Sequence, residues 1–280
     1  MTMAARSRLG NAFSKNKGLL RTPSAWAFAG GAVAGRAARM LRARPEPGRR
    51  ILATHHKVMT TYFSAVLRAL AFKYRLKLEI GDADPTALPD YDFYLSHNSR
   101  FDPQGLTDQR CVALVRDPRD VIVSGYFYHL WTTEAWANTR WDGNPSWTEQ
   151  LNAVPKETGL MMEMRKFHNE HADILRRWGT SGKDNVLLVR YEDLMGPEKV
   201  QSERAIVQHF QLDADMAADM HRAMRLFSFE NRTGRKVGNI ASNAHLRGGA
   251  PGGWKEHFTK AHHQFFEENL ADLLALYDYE

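Results

Sequence analysis

Two short stretches, about sixty residues apart, place cations and hydroxyls where an apolar run gives way to a helical pattern. THHKVMTTYF (Thr54 to Phe63) carries Lys57, Thr60 and Thr61. VRDPRDVIVSGYFYH (Val115 to His129) carries Arg116 and Ser124. A helix N-terminus has free N–H groups and the positive end of the helix dipole, so a strand–turn–helix unit with a cation in its turn suits a phosphate. Two such turns on neighbouring strands of one sheet would grip a ligand charged at both ends. His97 closes the apolar run DFYL. An imidazole there can take a proton from a hydroxyl near neutral pH, and it can equally be structural. The first turn lacks the GxxxxGK[ST] order of a nucleotide P-loop. His168 and His171, three apart in a helical segment, have no third metal ligand at a telling spacing and read as a solvated face. His55 and His56 read as loop residues, and no catalytic metal is implied. Cys111 opens CVALV and reads as a buried strand residue.

The elements that must position these residues alternate regularly. Strands are expected at Ile51 to His55, Leu76 to Ile80, Asp92 to His97, Cys111 to Arg116 and Asn185 to Tyr191. Helices are expected at Thr60 to Phe72, Pro118 to Tyr128, Gly159 to Trp178, Pro197 to Phe210, Asp213 to Phe227 and His262 to Tyr277. A Trp-, Gly- and Pro-rich loop spans Trp131 to Trp147, and a glycine-rich one Thr233 to Gly253. Several strands are apolar throughout, which predicts an α/β fold with a mainly parallel central sheet flanked by helices on both faces.

A chain of 280 residues, 43% hydrophobic and 25% charged, fits one large globular domain. One cysteine excludes an intramolecular disulfide framework and suits a reducing, cytoplasmic setting. Residues 1–50 hold eleven Lys or Arg and one acidic residue, Glu46, whereas the whole chain carries only +6. The body is therefore net acidic, which argues against a nucleic-acid partner. ARPEPGRR (Ala43 to Arg50) reads as a linker. Residues 1–48 then form a disordered basic arm or an organelle-targeting segment, with weak membrane-surface contact through WAFAGGAVAG as a further option. The folded domain spans 49–280.

Taken in order, the two turns resemble the signatures of the 3′-phosphoadenosine 5′-phosphosulfate (PAPS)-dependent sulfotransferase family. Lys57, Thr60, Thr61 and Tyr62 match its Lys-x-Gly-Thr-Thr-aromatic loop. Arg116, Pro118, Arg119, Asp120 and Ser124 match its Arg-x-Pro-Arg/Lys-Asp-x-x-x-Ser element. YEDL (Tyr191 to Leu194) and RGGAPGGWKEHF (Arg247 to Phe258) look like two later segments, so the resemblance covers Ile51 to Phe258. It implies a P-loop-NTPase-like three-layer sandwich that moves a sulfuryl group from PAPS to a hydroxyl or amine, leaving adenosine 3′,5′-bisphosphate.

The same resemblance implies roles. Lys57, Thr60 and Thr61 would hold the 5′-phosphosulfate, and Arg116, Ser124, Arg247 and Gly249 the 3′-phosphate. Tyr62 and Tyr191 would contact adenine, and His97 would be the general base. Met59 stands where the family has Gly, Gly248 where it has Lys, and Gly253 where it has Asp. A small-molecule or carbohydrate acceptor is expected beside Tyr126, Tyr128, Trp131, Trp136, Arg140 and Trp141. Two rival readings are a P-loop kinase of a small hydroxyl substrate and a catalytically degenerate nucleotide-binding or membrane-associated protein.

Overall fold

The computed structural model describes residues 23–40, 48–241 and 248–280. Among them, five strands form one sheet: β1 Arg50–Ala53, β2 Leu78–Gly81, β3 Phe93–Ser96, β4 Arg110–Val115 and β5 Val186–Arg190. All pairings are parallel, in the order β2-β3-β1-β4-β5. Parallel strands need crossover helices, and these cover both faces, so β3 is buried at every position and β4 at all but its first.

The pleat divides these residues between two cores. Leu52, Phe93, Leu95, Val112 and Leu114 point to the larger one, which holds helices α2 (Thr60–Tyr74), α3 (Pro118–His129) and α6 (Lys156–Phe167). Ile51, Ala53, Tyr94, Cys111 and Ala113 point to a smaller one closed by Phe101, Leu106 and Trp178. Trp178 is fully buried and donates its Nε1–H to the carbonyl of Ser99, so its one polar group is satisfied. The buried thiol of Cys111 is pushed up by desolvation, as befits a core residue.

Pairing Ala53 with Ser96 and Val115 with Arg190 brings the carboxyl ends of β1, β3, β4 and β5 to one edge. The turns that follow those strands carry Lys57, His97, Arg116 and Tyr191, which is where an open α/β sheet presents its ligand crevice.

Four elements differ from expectation. Helix α1 (Pro23–Arg39) lies within the basic segment, yet it docks on α2. Ala32 is buried, Arg36 donates to the Phe72 carbonyl at 2.9 Å, and Arg75 donates to that of Arg39 at 2.8 Å. This stretch is therefore no free arm, while residues 1–22 and 41–47 lie outside the described residues. The long helix contains a π-turn, His168–Ala172, between α6 and α7 (Asp173–Gly179). The loop after α3 holds α4 (Ala135–Asn138), with α5 (Trp147–Asn152) beyond it. The C-terminal segment folds as Lys260–Asn269 and Asp272–Leu276. Among the described residues no helix is long and apolar enough to cross a membrane.

Candidate active site

A cleft of about 1530 Å³ opens at the carboxyl edge of the sheet. Lys57, Thr60, Thr61, Tyr62, His97, Arg116, Ser124, Tyr191 and Gly249 all line it, as do Tyr128 and Trp136.

Lys57 and Arg116 both face this space. Arg116 Nη1 donates to the Lys57 carbonyl at 3.3 Å, coupling the two turns. The Arg116 guanidinium lies 4.2 Å from the centre of the Tyr191 ring and 3.9 Å from the Asp120 carboxylate. Its Nε is buried with no hydrogen-bond partner. A guanidinium held in place with a spare donor is suited to bind an oxyanion. Burial pushes Lys57 down to about 7, with Arg116 adding to the effect and Glu134 and Glu163 opposing it. Its Nζ sits 3.7 Å from the centre of the Tyr128 ring.

Asp120 fastens the C-terminal loop beneath Arg116. It accepts the N–H groups of Gly252 at 2.6 Å and Trp254 at 3.0 Å. Tyr191 adds a second tie, donating its hydroxyl to the Gly249 carbonyl at 2.7 Å. Gly249 has φ 75, and a Cβ there would stand 3.2 Å from Phe229, so glycine fits where a side chain would not. Arg247, the remaining residue expected at this end, lies outside the described residues.

In the first turn, Thr54 gives its hydroxyl proton to the Ser96 carbonyl at 2.7 Å and stands 2.7 Å from the Thr60 hydroxyl. Thr60 is then the donor to Thr54, which leaves its backbone N–H, at the start of α2, as its donor toward the cleft. Tyr62 donates its hydroxyl to the Met224 carbonyl and meets the edge of Phe63. His97 is exposed on the rim, anchored through its backbone N–H to Gly81 at 3.2 Å.

The expected acceptor residues divide. Tyr128 and Trp136 line the cleft and share one partner, both donating to Glu134, at 2.9 and 2.7 Å. Tyr126 does not: it is buried in the large core, its ring beneath Gly159 of α6. Trp131 packs edge-on against Tyr128 away from the cleft lining. Arg140 pairs with Glu149 on the surface, and Trp141 is 70% exposed beside a separate small hollow. Helix phase and loop position, not residue type, decide which aromatics reach the cleft.

Sequence reasoning missed a buried polar chain behind Lys57. His56 Nε2 is 3.0 Å from His129 Nε2, and His129 Nδ1 is 2.9 Å from Glu163 Oε2. His171 lies within the π-turn, lines the cleft, and stacks on His56 with ring centres 6.0 Å apart. Burial pushes it down to about 4, so the solvated face expected for it is corrected. Among the described residues no three His, Cys, Asp or Glu side chains are grouped to hold a metal ion.

The chain is similar to known proteins. The sulfotransferase domain family matches residues 88–278. Human sulfotransferase 2A1 is 28% identical over 177 residues, 59% of this chain and 57% of that protein. Mouse sulfotransferase 2A2 is 27% identical over 180 residues, 59% of this chain and 56% of the relative. The matched region thus spans just over half the length of these curated relatives. Mouse sulfotransferase SULT7A1, solved in complex with PAP, superposes with a TM-score of 0.53 at 17% identity, covering 83% of this chain and 89% of the other. Retinol dehydratase, solved with androsterone and the inactive cofactor PAP, gives 0.52 at 16%, covering 90% and 87%. At such identities the superpositions establish a common fold.

Proposed function

The chain belongs to the sulfotransferase family, and on that premise we propose that it moves a sulfuryl group from PAPS to the hydroxyl, or amine, of a small-molecule or carbohydrate acceptor. The observation that carries this reading is the placement of Lys57 and Arg116 on one cleft, with a buried Arg116 Nε lacking a partner. The residues fit the donor: two cations on adjoining turns, the N-terminus of α2 beside them, and a cleft roomy enough for a nucleotide. Bound PAPS supplies the sulfuryl group and a phosphate leaving group.

Lys57 and the α2 N-terminus would hold the 5′-phosphosulfate. As the acceptor oxygen bonds to sulfur, the S–O bond to phosphate breaks and its electron pair stays on the phosphate. A fixed ammonium beside that oxygen helps the transition state more than the ground state. Arg116, Ser124 and the Gly249 backbone would hold the 3′-phosphate, with Tyr191 keeping Arg116 and Gly249 in register. Arg247 would join them. Tyr62 would stack on adenine and Tyr191 would border it. His97, on the rim with water access, would take the acceptor's proton. Tyr128 and Trp136 would flank the acceptor.

Incubation with sulfur-labelled PAPS and a panel of phenol, sterol, sugar and amine acceptors tests this reading. Label should appear on at least one class. Label transfer from ATP with none from PAPS would favour a kinase instead.

A further inference from the structure

The turn that carries Lys57 bends in a way side chains disfavour. Lys57 has φ 62 and Met59 has φ 55, both left-handed, and neither is glycine. Met59 opens α2 without a side-chain cap. Something outside the turn must hold it in that shape, and the chain of polar groups behind it is placed to do so.

We propose that His129 and Glu163 form a strut that holds the His56–Met59 turn in its anion-binding shape, standing in for the glycine this turn lacks. They are positioning residues of the donor site, so the inference rests on the donor reading above. A carboxylate only accepts, so His129 Nδ1–H donates to Glu163, and in the neutral ring His129 Nε2 is an acceptor. His56 then donates its Nε2–H to it. A neutral His56 is consistent with its burial, which with His129 and Lys57 nearby pushes it well below its usual range.

The strut is anchored at its far end, because Glu163 also accepts the Trp147 indole N–H at 3.2 Å. His171 lies parallel to the His56 ring, their centres 6.0 Å apart. On the opposite side of the turn Arg116 holds the Lys57 carbonyl, and Val58 N–H donates to His55 at 3.0 Å. A shift of His56 would carry the adjoining Lys57 with it. His129 is 1% exposed and both of its ring nitrogens are engaged, so it works through His56 and not on an acceptor.

The test is a double-mutant cycle read by calorimetric binding of adenosine 3′,5′-bisphosphate, with circular dichroism confirming the fold of each variant. His129→Leu should weaken binding about tenfold, and less than about threefold once Met59→Gly has removed the strain at that position. Glu163→Ala, a second variant should His129→Leu fail to fold, should show the same dependence on Met59→Gly. Equal losses in both backgrounds, or no loss from either variant, would overturn the strut alone. Absence of binding by the unaltered chain would overturn the donor reading and the strut with it.

Discussion

Donor binding should draw a proton into the cleft, and Lys57 should be the group that receives it. With its ammonium pushed down to about 7 by burial and by Arg116, Lys57 is largely neutral above that pH while the cleft is empty. An oxyanion placed beside it favours the charged form and raises its pKa again. If the bound value exceeds about 10, binding takes up roughly half a proton at pH 7 and about nine-tenths at pH 8. The sign follows: uptake means affinity falls as pH rises above about 7, by nearly tenfold between pH 8 and 9. Near pH 8 His55, His56 and His171 do not compete, because burial pushes all three down. Calorimetric titration with adenosine 3′,5′-bisphosphate in buffers of different ionisation enthalpy reads the uptake directly. Lys57→Arg should abolish it, because a guanidinium stays charged throughout. No uptake at pH 8 by the unaltered chain, or undiminished uptake by Lys57→Arg, would refute the reasoning.

Two further substitutions test the surrounding frame. Met59→Gly relieves a left-handed strain of about 1–2 kcal/mol, offset by about 0.4–1 kcal/mol from the freer unfolded chain, whereas Met59→Ala keeps the strain and loses packing. Met59→Gly should therefore melt above Met59→Ala, and the reverse order would contradict the account. Asp120→Asn leaves one carbonyl oxygen for the N–H groups of Gly252 and Trp254, so chemical denaturation should show a loss of about 1–3 kcal/mol. Full stability in that variant would mean the loop is held elsewhere.

The sheet was largely legible because its signal is local. ILA, DFYL, CVALV and NVLLV are apolar runs too short for helices, and each falls on an observed strand. The turns were legible for the same reason, since cation, hydroxyls and helix lie within a few residues. The aromatic set was over-read because α3 has a phase. Ser124 and Tyr128, four apart, share the cleft face, while Tyr126 sits between them and points to the core. Trp131, Arg140 and Trp141 lie in or beside a loop, where no periodicity ranks them. The polar chain behind Lys57 was hidden because its members come from four elements. His171 reaches His56 from a π-turn, which spacing does not announce. Helix α1 was missed because its arginines suggest a solvated segment, yet Arg36 and Arg39 lie over Phe72 and Tyr74.

If Lys57 and Arg116 hold opposite ends of one donor molecule, removing the phosphate at one end should matter only while Arg116 is present. Affinities of adenosine 3′,5′-bisphosphate and adenosine 5′-phosphate, which lacks the 3′-phosphate, should be measured on the unaltered chain and on Arg116→Ala. The bisphosphate should bind the unaltered chain roughly ten- to a hundredfold more tightly, as charge-assisted hydrogen bonds would give. Arg116→Ala should remove most of that preference, whatever it does to both affinities together. An undiminished preference would place the 3′-phosphate elsewhere and contradict the account.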